Sequence, residues 1–539
     1  MTDMLQLSPV LLAACTGLFV LVVDLFRPAE VQGGGHLAWI TAMGFALAAA
    51  AAFLLWPGSR DALSAVPFAG ALRVDAFSLF LWVLLLACGA LACLASVGFD
   101  VHNNLDNGEY YSFFAFAVAG MMVMVAAADM LTLFIGLETM SLSLYPLIAM
   151  KRDSLRAAEG SFKYFINGAV ASALLLYGLA LTWGETGTLK IPEVASLMVA
   201  NSGNPLLFAA ATLILVGFAF KVALVPFHMW TPDAYEAAPA PVTGFMASAV
   251  KAAAFATLLR FVFSSNVADI FTATPFSFVD MVIAVSVLTM TVGNLVALHQ
   301  DNVKRMLAYS SISHAGYLAL ALTLVPPLGS GVPELRFASG SALYYLAAYG
   351  VSTLLAFGVL ARLAAGGSEE ATVSRLKGLS RRRPGLAFLL TLGLISLAGF
   401  PPTAGFFAKF YLFREMLVLS KGKLVILVVI AVVNALVSVY YYLRPVVAMY
   451  MDDAAEDREE IADSTASFAL LVAALAVVLM GLLPQPITDI ASKAGKAVWY
   501  ENATGIQDGP VGALAPFART GSKEDSDRDA SNPAGALPK

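Results

Sequence analysis

Charged residues in places where charge is costly constrain this chain more than any other feature. Between Leu213 and Arg260 the apolar segments are long enough to sit in a bilayer, yet Lys221 and Lys251 fall well inside them. Pro226 follows Lys221 by five residues. It has no backbone N–H to donate and its ring clashes with the preceding turn, so the helix breaks there. Irregular backbone at membrane depth survives only where protein or a water-filled cavity covers it. An ionisable residue beside such a break reads first as part of an ion or proton pathway.

Composition agrees with a membrane protein and removes other classes. The chain is 59% hydrophobic and 13% charged, against roughly 25% charged in soluble domains. Cys15, Cys88 and Cys93 lie in apolar stretches with no paired metal-binding or disulfide spacing. Leu12-Ala13-Ala14-Cys15 resembles a lipoprotein cleavage box, but no positive charge precedes it, so it reads as part of the first helix. There is no P-loop and no strand–GxGxxG–helix unit, which argues against nucleotide or flavin binding. Nothing points to nucleic acid, and no metal ligand set is present.

Apolar runs of about 18–25 residues recur between polar or Gly/Pro punctuation. They predict fourteen spans, near 8–26, 37–56, 75–97, 110–128, 131–150, 159–183, 205–230, 241–263, 276–298, 304–325, 340–363, 385–415, 424–449 and 464–484. Two are overlong and carry internal breakers, Pro226 in one and Gly399-Phe400-Pro401-Pro402 in the other. The expected class is an all-α polytopic membrane protein. Residues 485–539 are polar and rich in Gly, Ala, Asp and Ser, and are expected to be a mobile tail. Lys and Arg split fifteen to eight between the two sets of connections. The richer set holds Lys151, Arg375 and Arg381–Arg383, and the positive-inside rule places it in the cytoplasm with both termini outside.

An internal repeat is also present. The stretch Tyr164–Leu175 resembles Tyr344–Leu355, and each copy leads to a broken helix bearing a lysine, Lys221 or Lys409. The copies are five spans apart, an odd number, so they lie in opposite senses, an arrangement used by transporters with sites near the midplane. The expected units are a three-helix segment over 1–109, repeats over 110–263 and 276–449, a last span over 464–484, and the tail.

The runs FKVALVPFHMWTPDAYEAAPAPVTGFMASAVKAAAF, DNVKRMLAYSSISHAGYLAL and GFPPTAGFFAKFYLF resemble the N-type antiporter-like subunits of respiratory complex I, the proton-pumping NADH–quinone oxidoreductase. The likeness runs from the fourth span through the thirteenth. KYFINGAVASALLLYG and MWTPDAYE favour the N type over its L, M and antiporter relatives. The long polar tail departs from the family pattern.

By motif, the resemblance implies proton-carrying roles for Glu138 in FIGLETMSLSLYPL, Lys221, Lys251 in SAVKAAAF, and Lys409 in GFFAKF. Lys163, Lys304, His314 and His228 are secondary members of the same polar axis. It implies that NADH, FMN, iron–sulfur clusters and quinone belong to partner subunits and that this chain holds no cofactor. Its partners would be an adjacent antiporter-like subunit, small membrane subunits and lipid, in a bacterial inner membrane. Blander readings stand beside these. Lysine stems can snorkel to an interface, although mid-span depth argues against it here. Glu138 reads as the counter-ion of Lys221, His314 as a relay or an interior histidine, and Lys304 as one of the positive-inside charges. His228 reads equally as a bond to backbone freed by Pro226, and Asp233 and Glu236 as a solvated loop. Beyond proton translocation, the same motifs fit a cation/proton antiporter subunit or a non-pumping scaffold.

Overall fold

The computed structural model describes residues 2–28, 35–56, 70–201, 203–265, 267–271, 277–324, 338–364, 371–453 and 464–498. Among them no strand occurs, and eleven helices are long and apolar enough to cross a membrane. These are α1 (Thr2–Leu25), α2 (His36–Leu55), α3 (Ala76–Ser96), α4 (Gly108–Ala126), α5 (Met130–Ala149), α6 (Leu155–Thr186), α9 (Ala240–Ser264), α10 (Phe278–Ala297), α12 (Ala338–Ala364), α15 (Val425–Met451) and α16 (Ser464–Leu482).

The other three predicted spans fall short of that description for a chemical reason. The seventh is broken into α7 (Pro205–Lys221) and α8 (Trp230–Ala237), and the twelfth into α13 (Pro384–Ala398) and α14 (Ala404–Leu419). The tenth, α11 (Val303–Ala319), is the polar one, carrying Lys304, Arg305 and His314 before a 3₁₀ turn over Leu320–Leu324. Each break has one residue in the left-handed region, Ala223 (φ 61°) or Gly399 (φ 91°), and a cis proline, Pro226 or Pro402, three residues later.

The helix pairs α4–α5 and α10–α11 are built alike. A Cβ on Gly120 would lie 2.6 Å from the Met140 nitrogen, and one on Gly293 would lie 2.6 Å from the Ser313 nitrogen, so only glycine lets either pair approach this closely. Gly120 precedes the α5 N-cap Asp129 by nine residues, and Gly293 precedes the α11 N-cap Asn302 by the same nine. Each cap then joins the connection after the following span by an isolated antiparallel bridge, Asp129 with Lys190 and Asn302 with Thr372. Paired backbone hydrogen bonds close both bridges, Met130 N–H to Leu189 O (2.9 Å) and Val303 N–H to Ala371 O (2.7 Å).

Two expectations are corrected. Asp233 and Glu236 lie on helix α8, not in a solvated loop, because Trp230 and Tyr235 bury its opposite face. The segment after Pro484 is not all tail. Residues Gln485–Lys496 form α17, whose Ala491, Ala494 and Gly495 are buried. A Cβ on Gly495 would lie 2.6 Å from the Gly340 nitrogen, and Ser264 Oγ donates to Val498 O at 2.8 Å. Small residues at helical spacing thus dock α17 on the bundle. Residues beyond 498 lie outside the described part.

Candidate functional site

The three mid-span lysines are buried, with exposures of 4% for Lys221, 3% for Lys251 and 6% for Lys409. Lys221 ends α7 just before the chain leaves the helix. Its Nζ donates to Ser141 Oγ at 2.7 Å and rests 5.5 Å from the centre of the Tyr164 ring, within cation–π range. Glu138 sits one turn before Ser141 on α5. Its charge reaches Lys221, but the two form no direct ion pair. Ser172 Oγ donates to the Glu138 carboxylate instead. The expected contact pair is therefore not formed: Ser141, one turn on, accepts from the ammonium and donates its own hydroxyl to Leu137 O at 2.6 Å. Glu138 itself is half-buried.

Lys251 follows a π-helical turn over Met246–Val250, a distortion that recurs at functional positions. Its Nζ donates to Ser311 O at 2.6 Å and Ser311 Oγ at 2.5 Å. Lys409, in α14, reaches back across the second break to Leu397 O (3.1 Å) and Ala398 O (2.8 Å). Those are carbonyls at the end of α13, where backbone acceptors lack helical partners. Its ammonium also lies 5.5 Å from the Tyr317 ring centre.

His314 lies between these lysines, within electrostatic reach of both Lys251 and Lys409. Its Nδ1 is 2.7 Å from Tyr345 Oη and its Nε2 is 3.2 Å from Tyr442 Oη. Tyr442 also bonds Ser310, the neighbour of the serine that holds Lys251. A hydrogen-bonded chain therefore runs from Ser310 through Tyr442 and His314 to Tyr345, beside the serine that holds Lys251.

The secondary residues separate. Lys304 is buried and donates to Ala238 O, the C-cap of α8, at 2.6 Å. Lys163 lies on the rim, 43% exposed, paired with Glu159 (2.6 Å) and Asp233 (2.9 Å). His228 stays half-buried in the first break, in hydrogen-bond contact with none of the buried lysines. Reading the sequence missed Ser141, Ser172, Ser311, Tyr345 and Tyr442, since hydroxyls are common in membrane helices and leave no cost signature. Among the described residues no cluster of His, Cys, Asp and Glu could hold a metal.

Comparison with known proteins shows the family and the fold. Residues 127–436 match the family described as NADH:quinone oxidoreductase/Mrp antiporter, TM, and that range contains Glu138, Lys221, Lys251 and Lys409. The NADH-quinone oxidoreductase subunit N of Trichlorobacter lovleyi is 38% identical over 504 residues, covering 91% of this chain and 97% of that protein. Subunit N 1 of Sorangium cellulosum is 43% identical over 431 residues, 78% of this chain and 83% of its own. Among solved structures, a chain of respiratory complex I from Thermus thermophilus with bound aureothin is similar at TM-score 0.72 and 32% identity, covering 90% of this chain and 99% of that one. A chain of the Mrp complex from Dietzia shares the fold at TM-score 0.78 and 20% identity, covering 92% of this chain and 97% of that one.

Proposed function

The chain belongs to the subunit N family of NADH-quinone oxidoreductases, and from that premise we propose that it moves protons across the membrane through Glu138, Lys221, Lys251 and Lys409. Quinone reduction in partner subunits drives the movement. NADH, FMN, iron–sulfur clusters and quinone are held by those partners, and this chain carries no redox centre. It packs against an adjacent antiporter-like subunit, small membrane subunits and lipid in a bacterial inner membrane, with both termini on the outer side.

One observation carries this reading. Among the described residues, Lys221, Lys251 and Lys409 are met only by hydroxyls, backbone carbonyls and ring faces, with no carboxylate at ion-pair distance. A buried lysine kept for structure needs a paired counter-charge. These cradles serve either protonation state. A serine hydroxyl accepts from an ammonium and donates to an amine. A neutral amine also keeps two N–H donors, enough for the two carbonyls facing Lys409.

The energetics are within reach. Moving one charge against about 200 mV costs roughly 4.6 kcal/mol. A change between apolar burial and a nearby carboxylate alters a lysine's proton affinity by a comparable amount.

Lys251→Arg tests the proposal in the assembled complex. Arginine keeps the charge but does not release a proton at accessible pH. The expected result is normal assembly with proton pumping reduced about tenfold or more. Undiminished pumping would remove Lys251 from the path.

A further inference from the structure

Outside the lysine axis, charged groups from two long helices converge on α8. Asp233 accepts from Arg305 Nη1 and from Lys163 Nζ, both at 2.9 Å. Glu236 accepts from the same Arg305 nitrogen at 2.9 Å, from Asn302 Nδ2 at 3.2 Å and from Arg156 Nη1 at 3.4 Å. Lys304 takes the Ala238 carbonyl at the C-terminal end of α8, where a cation also favours the helix dipole. The first turn of α11 therefore holds this short helix by both carboxylates and its last carbonyl. Isolated exposed ion pairs contribute little. Here a single guanidinium joins two carboxylates in a partly buried network.

The opposite end of α8 belongs to the environment of Lys221. The helix begins at Trp230, whose ring stacks on Tyr164 with centroids 4.5 Å apart and whose Nε1 donates to Phe220 O at 3.0 Å. Tyr164 is the ring on which the Lys221 ammonium rests, and Phe220 is the residue before that lysine. Eight residues of helix span about 12 Å, too short to bend internally, and non-helical residues 222–229 separate α8 from α7.

We infer that Asp233, Glu236 and Arg305 are positioning residues for Lys221, acting through α8 as a rigid strut that sets the Trp230–Tyr164 stack beneath the ammonium. The inference rests on reading Lys221 as a proton carrier. The groups facing Lys221 are Glu138 and Ser141 from α5 and Tyr164 from α6. Those facing the ionic grip are Arg156, Glu159 and Lys163 from α6, with Asn302, Lys304 and Arg305 from the start of α11.

The test uses the complete complex in membrane vesicles and measures coupled proton pumping as a function of pH. Arg305→Gln should lower pumping by about tenfold and displace its pH profile. Arg305→Lys, which keeps a charge able to donate to two carboxylates, should restore most of both. Where the Gln variant does not assemble, Asp233→Asn carries the same readouts with its side-chain shape kept. Because the grip acts through Lys221, adding Arg305→Gln to Lys221→Met should reduce residual pumping less than twofold. A wild-type pH profile in assembled Arg305→Gln, or a full multiplicative loss in the double variant, overturns the inference. Wild-type pumping by Lys221→Met alone overturns the proton-carrier reading, and the inference with it.

Discussion

Lys221 donates to Ser141 at 2.7 Å, and Ser141 stands one helical turn beyond Glu138. The carboxylate whose charge reaches the lysine makes no ion pair with it, and the Ser141 hydroxyl that accepts from the ammonium donates in turn to Leu137 O at 2.6 Å. For the proposed function this makes the serine as testable as the charges.

Ser141→Ala should leave the complex assembled and slow coupled turnover by about 10- to 150-fold, the loss of one hydrogen bond to a charged group, about 1.5–3 kcal/mol. Ser141→Thr keeps the hydroxyl and should be far milder. Glu138→Gln and Lys221→Met should each impair pumping. Their combination should be much less damaging than the product of the two, because groups in one network do not act independently. Pumping rates of the two single variants and the double variant in vesicles, against the unsubstituted complex, decide this, and multiplicative losses would separate Glu138 from Lys221.

Topology follows from the distribution of basic residues. A reporter in the Arg375–Arg383 connection should behave as cytoplasmic, and one fused after Lys539 as external. Reporter activity on the reverse sides would invert the orientation proposed for the whole bundle.

The docked helix α17 divides the C-terminal region in two. A stop after Val498 should leave assembly unchanged. A stop after Leu483, which removes α17 from its seat against Gly340, should lower the amount of assembled complex several-fold. Gly495→Leu should do the same by collision alone, since even a Cβ at that position falls 2.6 Å from a backbone nitrogen. Native-gel quantification of the complex distinguishes these outcomes.

Asp100 supplies a pH dependence outside the membrane-spanning helices. It is buried in the short helix Phe99–His102 between α3 and α4, where it accepts from Tyr111 Oη and the Val101 N–H. Burial pushes its carboxyl up to about 6, and the charge of Asp106 pushes the same way. A carboxyl raised on folding stabilises the fold fully below its unfolded value near 4, and that contribution is lost as pH rises through about 6. Heat stability should fall across that window by up to about 3 kcal/mol. Asp100→Asn should flatten the dependence and raise the melting temperature at pH 7. An unchanged profile in the variant would place the titrating group elsewhere.

The parts of this molecule legible in its sequence are those where a residue type is costly in its surroundings. Lys221, Lys251 and Lys409 stand out because charge inside an apolar run needs a reason, and Pro226 and Pro402 mark breaks because proline cannot continue a helix. The hydroxyls around those lysines carry no such cost. Ser141 and Ser311 acquire meaning only when α7 and α9 bring an ammonium to them. The Asp233–Arg305 contact joins residues 72 positions apart, a separation that no local pattern reports. In the C-terminal region, polar average composition concealed twelve residues whose Ala491, Ala494 and Gly495 form a flat packing face.

The placement of the two break lysines gives the molecule a polarity that its backbone lacks. Lys221 closes the first half of its broken span, whereas Lys409 lies in the second half of its own. The two spans run in opposite directions, so the backbone positions of both lysines stand on the same leaflet's side of their breaks, although the Lys409 ammonium reaches back to the end of α13. A pair of inverted repeats is, as a backbone, nearly indifferent to which way charge moves through it. Strict symmetry would have set one lysine toward each leaflet and preserved that indifference. Here two side chains break it, and in the proposed function the direction of transport would rest on them and not on the helices that carry them.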